Sequence, residues 1–385
     1  MKPFARIPAE IPRSGIREVM DLAWAAEKTG EVIHLEVGQP DFDTPAHIIE
    51  ATCRFANAGH TKYVPNAGVD PLRAAAARYF ERSTGVATGP EHILVTPGAV
   101  MSVASSFLAL LEPGDEVLLP DPGWPNYHMA VSIVHGQPVF YNLRAENHFL
   151  PDLDEIESLI SEKTKLMLLC TPSNPTGQVY DQTLMRELMG LAQRHDLWVL
   201  SDEIYGEIVF ADQHHSALPH DEDGRALIVS GMSKSFAMTG YRVGFTRANP
   251  DYIELAAKLQ EPFVSCGTGF SQLASAEALD GPQETVAQMR EAYRRRRDIA
   301  LEVLRAHDLY RYTPGGAIYL MIDIAASGMD SRDFAVRLLE EKRVAVAPGK
   351  TFGKMCADHV RISIAAEDDH IRRGVTAICE LVKGK

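Results

Sequence analysis

The sequence predicts an α/β fold: a large three-layer domain with a mostly parallel sheet, plus a smaller α+β domain. Two patterns carry that expectation. Between Ile93 and Thr246, apolar runs of four to six residues alternate with helical stretches, and strands covered on both faces read as such continuous runs. Beyond residue 283 the order changes to one long charged helix, then three more apolar runs with two helices among them. The 385 residues suffice for a large core and suggest two or three domains.

Residues 1–45 are expected to form an N-terminal arm and small-domain segment: a proline-bearing start, a helix over Gly15 to Thr29 and a strand over Val32 to Val37. The run from Gly38 to Pro45 breaks both periodicities and predicts a fixed loop. An arm this small cannot bury its own apolar residues, so it must pack on later chain or on a second subunit. The large domain, 46–282, holds predicted strands at Ile93–Thr96, Glu116–Leu119, Gln137–Tyr141, Lys165–Cys170, Leu197–Ser201, Ala226–Val229 and Val243–Thr246. Helices are expected over Val100–Leu111 and Thr183–His195, with another starting at Asp152, where Asp152 and Glu155 have capping-box spacing. The C-terminal small domain, 283–385, begins with a helix over Gln283–His307. Strands at Ala317–Ile322, Arg343–Ala347 and Val360–Ile364 follow, with helices from Ser331 and Asp368. Arg294 to Arg297 point around the whole circumference of their helix, which predicts a solvated or interdomain face, not a polyanion site.

Composition narrows the function. With 38 basic and 52 acidic residues the formal charge is −14, which disfavours nucleic acid as a partner but leaves room for a local anion site. Five scattered cysteines without a CxxC indicate neither a disulfide framework nor a cysteine-rich metal site. The proline-interrupted start argues against a signal peptide or membrane span, so a cytoplasmic setting is the default expectation. GxGxxG, GxxxxGK[ST] and HExxH are all missing, and His214-His215 reads as loop; no metal is expected.

Chemistry concentrates at the strand ends. The stretch from Ser230 to Gly244 carries Lys234 and Arg242 eight positions apart, so a turn brings an amine and a guanidinium to opposite ends of one small anionic ligand. Thr96-Pro97-Gly98-Ala99 stands where a strand gives way to a helix, and amides near Gly98, Ala99 and Val100 can receive a phosphate there; a plain turn is the alternative. Two prolines hold Asn174, whose ordinary reading is a turn former. Asp202 ends another strand with Glu203 and Tyr205 beside it, and a surface acidic pair is the alternative. Lys234 can form a Schiff base when neutral, Arg242 can neutralise a phosphate, and Asp202 can keep a pyridine nitrogen protonated. Together these roles match pyridoxal 5'-phosphate.

The motifs Gly38-Gln39-Pro40-Asp41-Phe42, Tyr63 with Pro65-Asn66-x-Gly68, Asn174-Pro175-x-Gly177, Asp202-x-x-Tyr205, Ser233-Lys234-x-Phe236, Gly240-x-Arg242-x-Gly244 and Arg361-x-Ser363 span nearly the whole chain. In order and spacing the sequence resembles the fold-type I pyridoxal-phosphate aminotransferases of class I, near the aspartate and aromatic aminotransferases. The resemblance implies an aspartate aminotransferase-like fold. It makes Lys234 the lysine bonded to the cofactor aldehyde, pairs Asp202 with the pyridine nitrogen, brings Asn174 and Tyr205 to the ring oxygen and stacks Trp124 on the ring. It assigns the phosphate to the Gly98, Ala99 and Val100 turn, Ser233 and Arg242. Tyr63 would reach the phosphate of a neighbouring subunit in a homodimer with shared active sites, and the segment Cys266-Gly267-Thr268 is a further candidate for such a contact. Gly38 and Arg361, assisted by Asn174, would hold the substrate carboxylate. Two features depart from many relatives: Gly231 stands where a phosphate-contacting serine is common, and the Thr96–Val100 turn lacks a side-chain hydroxyl after its glycine.

The implied activity is ping-pong transfer of an amino group from an L-amino acid to a 2-oxo acid, with Lys234 as the base at Cα. Glutamate and 2-oxoglutarate are expected as one pair because the family commonly uses them. A carbon–sulfur β-lyase on the same site is the alternative enzyme. A cofactor-binding transcriptional regulator would need an added DNA-binding region. Side-chain specificity is not legible: Arg361 reads only the carboxylate shared by all amino acids, and Arg17, in the arm, is expected to be a salt-bridged surface residue in preference to a pocket residue.

Overall fold

The computed structural model describes residues 4, 7, 11, 13–210 and 213–384; most of the proline-bearing start of the arm lies outside them. Among the described residues twelve strands are formed: β1 (Ile33–His34), β2 (Ile93–Thr96), β3 (Glu116–Asp121), β4 (Gln137–Asn142), β5 (Thr164–Cys170), β6 (Trp198–Asp202), β7 (Ala226–Gly231), β8 (Gly244–Arg247), β9 (Tyr319–Asp323), β10 (Val344–Ala345), β11 (Ala347–Pro348) and β12 (His359–Ser363). Seven make one sheet in the order β2-β8-β7-β6-β5-β3-β4. Only β8 runs against its neighbours, so the sheet is mainly parallel. Within β5 the residues Leu166, Met167, Leu168 and Leu169 are all 0% exposed, on both faces alike. Each such side chain is worth about 1.5–3 kcal/mol of burial, which is why the strand reads as an unbroken apolar run.

This topology positions the site. Strands β2, β3, β5, β6 and β7 all end at the same sheet edge, and the antiparallel β8 begins there. The carboxyl edge of such a sheet is where ligands bind in open α/β folds. At the far end of the chain, β11, β12 and β9 form an antiparallel sheet. The arm joins this C-terminal unit: β1 pairs parallel with β10.

Most expected elements appear within a residue or two, and the differences have local causes. The strand expected over Val32–Val37 keeps its ladder only at β1, because the pairing divides after it: the Leu35 amide still donates to Ala345 of β10, but its carbonyl accepts from Ser363 of β12. The run expected as one strand over Arg343–Ala347 divides at Val346, since β10 pairs with β1 while β11 pairs with β12. Asp152 caps its helix by accepting the amides of Asp154 (3.0 Å) and Glu155 (3.1 Å), but the capping box is incomplete. Glu155 turns instead to the backbone amide of Asn142 at 3.0 Å and to Arg144. The four arginines divide as a mixed solvent and inter-element face: Arg294 pairs with Glu291, Arg295 with Asp368, Arg296 with both Asp41 and Asp368, and Arg297 stacks on Phe210.

Candidate active site

Along the strand edge lies a cleft of about 1070 Å³, floored by the strand ends and walled by the arm and the C-terminal unit. Of the residues singled out by sequence, Gly38, Ala99, Val100, Trp124, Asn174, Asp202, Tyr205, Ser233, Lys234, Arg242 and Arg361 line it. Gly98 stands just behind the wall, and Tyr63 is not on it, being 90% exposed.

At the centre, the Lys234 amine donates to the Gly38 carbonyl at 2.6 Å. Its pKa is pushed down to about 8, first by burial and then by the Arg361 and Arg242 cations, against the pull of Asp202. A lysine so placed is readily neutral, the form that attacks a carbonyl. Asp202 is 4% exposed, and burial raises its carboxyl to about 6. Tyr127 donates to its Oδ2 at 2.7 Å and the Ile204 amide to its Oδ1 at 3.2 Å; both bonds favour the charged form.

The acidic pair is not a surface pair. Successive residues of a strand end face opposite ways, and Glu203, 6% exposed, turns from the cleft to accept from Ser201 (2.8 Å), Ser216 (3.1 Å) and the Ala217 amide (3.0 Å). His214 completes its shell, with Nε2 at 2.8 Å from Glu203 Oε2.

Arg361 enters from β12 and is 1% exposed. Its guanidinium lies between the rings of Tyr319 (4.4 Å) and Phe352 (4.7 Å), donates to Asn174 Oδ1 at 3.1 Å and donates to the Glu36 carbonyl. Arg361 Nε is buried without a partner, leaving donor capacity for an anion. Tyr205 shares a 2.7 Å hydrogen bond with Tyr319, tying the strand edge to the C-terminal unit.

At the other end of the cleft, the helix Ala99–Leu110 begins beside Arg242. Gly98 sits at φ +81°, and a Cβ there would lie 2.2 Å from Arg242 Nη2, so the turn requires glycine to admit the guanidinium. Arg242 donates to Thr239 O at 2.9 Å and forms no ion pair among the described residues. Free helix amides next to such a cation make an anion site. Gly231 has its own reason to lack a side chain: it pairs with Gly244 in the β7–β8 ladder, and a Cβ would meet Gly244 Cα at 2.8 Å.

Sequence reasoning missed Tyr127, Tyr319 and Glu36. Tyr127 carried a signal, standing three residues after Trp124 on the first turn of the helix Asn126–Ile133; the other two had none. Arg17 meets its expected role in part: it is exposed, yet it lines the cleft, forms no ion pair among the described residues, and donates to Met20 Sδ at 4.0 Å.

Comparison with known proteins agrees with this geometry. The profile of the family "Aminotransferase class I and II" matches residues 30–378. The aspartate aminotransferase of Pyrococcus horikoshii is 35% identical over 378 residues, 97% of this chain and 96% of that protein. The aspartate/prephenate aminotransferase of Thermus thermophilus is 36% identical over 348 residues, 90% of this chain and 89% of its own. Among solved structures, the aspartate aminotransferase from Thermus thermophilus with maleate superposes with a TM-score of 0.95 at 34% identity, covering 99% of this chain and 100% of its own. An amine poised for carbonyl chemistry, a buried carboxylate facing it and this full-length similarity lead to one conclusion: the chain belongs to the class I aminotransferases of fold type I, a pyridoxal-phosphate-dependent family.

Proposed function

We propose that this aminotransferase moves the amino group of an L-amino acid to a 2-oxo acid, with glutamate and 2-oxoglutarate as one pair, in a cleft that holds pyridoxal 5'-phosphate. The observation that carries the reading is the Lys234 amine, pushed down to about 8 between two guanidinium cations and opposite the buried Asp202 carboxylate. The donor set fits the cofactor: the glycine cradle at Gly98 leaves Arg242 and the helix amides free for a phosphate, and the Asp202 carboxylate in the same cleft would supply a counter-charge for a pyridinium. When bound, the cofactor supplies an aldehyde that condenses with amines and a protonated ring that draws electrons from the Cα–H bond.

The chain's own residues do the rest. Ser233, Arg242 and the amides of Gly98, Ala99 and Val100 would hold the phosphate, Trp124 would pack on the ring, and Asn174 and Tyr205 would meet its oxygen. Arg361, with Gly38 and Asn174, would hold the substrate carboxylate and so select which Cα bond is broken. Lys234 Nζ would take the proton from Cα and pass it to the carbon of the former aldehyde, so that transfer and not mere exchange results. A distal carboxylate, as in glutamate, would face Arg17. Tyr63 completes the phosphate site of a second subunit, the molecule working as a homodimer in the cytoplasm. The arm, residues 46–282 and residues 283–385 act as three parts around the cleft.

A half-reaction screen tests the reading. The yellow enzyme is mixed with each amino acid and the loss of its visible absorbance followed, with Lys234→Ala as control. At least one L-amino acid is expected to bleach the parent while yielding its 2-oxo acid. Multiple turnovers of Lys234→Ala at the parental rate would remove the assignment of Lys234, and pyruvate with ammonia formed without an acceptor would indicate a lyase.

A further inference from the structure

The end of β3 contributes a carboxylate that no step above uses. Asp121 is 5% exposed, and its two oxygens accept the backbone amides of Lys354 (3.0 Å) and Met355 (3.1 Å) in the C-terminal unit. Two residues on, the Gly123 amide donates to the Phe352 carbonyl at 2.8 Å. Between these contacts, Gly353 adopts φ +146°, and a Cβ there would lie 1.9 Å from Asp121 Oδ1, so the turn is moulded on this carboxylate.

Each side of this joint leads to a group that handles ligand. Phe352 is the ring beneath the Arg361 guanidinium, at 4.7 Å. Trp124 directly follows Gly123 and meets Tyr127 edge-on at 5.4 Å, and Tyr127 is the donor to Asp202. A continuous set of contacts therefore runs from Asp202 through Tyr127, Trp124 and Gly123 to Phe352 and Arg361, crossing between the large sheet and the C-terminal unit at the Gly123–Phe352 hydrogen bond, beside which Asp121 adds two more.

We propose that Asp121 is a positioning residue: it locks the Trp124 loop to the Phe352–Met355 turn, so that the ring-facing wall and the carboxylate-binding Arg361 keep one spacing. The proposal rests on the functional reading of Trp124 and Arg361 given above. Its consequence is selective. An amino acid, held at both ends, depends on the spacing; an amine without the α-carboxylate does not touch Arg361 and is indifferent to it.

Asp121→Asn preserves volume but turns an N–H toward one of the two amides, breaking half of the joint. In the half-reaction, the half-saturating concentration of a reactive amino acid should rise about tenfold, while the saturated rate and the reaction of the matching amine lacking the carboxylate stay within about threefold. A role in general stability would slow both substrates together. Gly353→Ala, which pushes the turn off the same carboxylate, should give the same split and decides the matter if Asp121→Asn does not fold. Calorimetric titration of the loaded enzyme with maleate provides a readout without turnover: about tenfold weaker binding is expected in either variant, with cofactor affinity within about threefold of the parent. Equal loss for amine and amino acid, or parental affinity for both amino acid and maleate, would overturn the assignment. A parent that binds maleate yet reacts with no amino acid would instead overturn the functional reading, and the maleate comparison would still judge Asp121.

Discussion

In the proposed function, Lys234 is the residue whose charge state decides whether a carbonyl can be attacked. With its amine pushed down to about 8, chiefly by burial, the neutral form accumulates as pH rises through that value. The rate at which cofactor-free protein turns yellow on adding pyridoxal phosphate should therefore climb between about pH 7 and about pH 9 and then level off. A flat profile in stopped-flow absorbance would contradict the assigned amine. Tyr127 acts one contact further out. Its hydroxyl supports the charged form of Asp202 at 2.7 Å, so Tyr127→Phe should raise the Asp202 pKa further and leave less carboxylate at neutral pH. A hydrogen bond to a charged group is worth about 1.5–3 kcal/mol, and kcat/KM should fall by about tenfold or more, most steeply on the acid side of the profile.

The β7–β8 pair is the element that sets the relative positions of Lys234 and Arg242, since the loop between these two strands carries both. Its closeness depends on Gly231 facing Gly244. Gly231→Ala would set a methyl 2.8 Å from Gly244 Cα and 2.9 Å from Val243 O, both backbone atoms that no side-chain rotation can move away. Such overpacking costs about 1–3 kcal/mol, to be read from a urea unfolding midpoint. Cofactor affinity should weaken with it, because spreading the strands moves the guanidinium off the helix amides. Unchanged stability would mean that the sheet relaxes at this position.

At the scale of the whole molecule, the arm is held beside the cleft by an arginine of the helix Glu284–Ala306. Arg296, 6% exposed, grips Asp41 through two hydrogen bonds of 2.8 and 2.7 Å and also reaches Asp368. Arg296→Met keeps the packing stem and removes the charge. Because Asp41 is partly exposed, the loss should fall at or below the low end of the range for a broken buried pair, about 2–3 kcal/mol by urea unfolding. Tyr63 tests the assembly. It is 90% exposed and neighbours the segment expected to share its role, the Val64 amide lying 3.5 Å from Cys266 Sγ. If Tyr63 serves the other subunit's site, mixed dimers of Lys234→Ala and Tyr63→Ala subunits contain one site with both residues intact. Activity of the reassociated mixture should then exceed that of either variant alone, and its absence would confine Tyr63 to its own chain.

That the candidate residues would share one cleft was legible in the sequence because they cluster at strand ends. Glycine and proline mark those breaks, and a lysine, an aspartate and an arginine there have few bland explanations. What escaped were partners far apart in the chain: Tyr127 and Asp202 are 75 residues apart, Tyr205 and Tyr319 114, and Glu36 and Arg361 325. The sequence by itself determined the order of strands and helices, the family and the strand-end chemistry, because burial periodicity and turn residues act between near neighbours. Only the tertiary structure decided which hydroxyl serves Asp202, which rings enclose Arg361, and that Arg17 turns to the cleft without a counter-ion among the described residues. Those outcomes depend on how distant segments pack, and no local pattern encodes that.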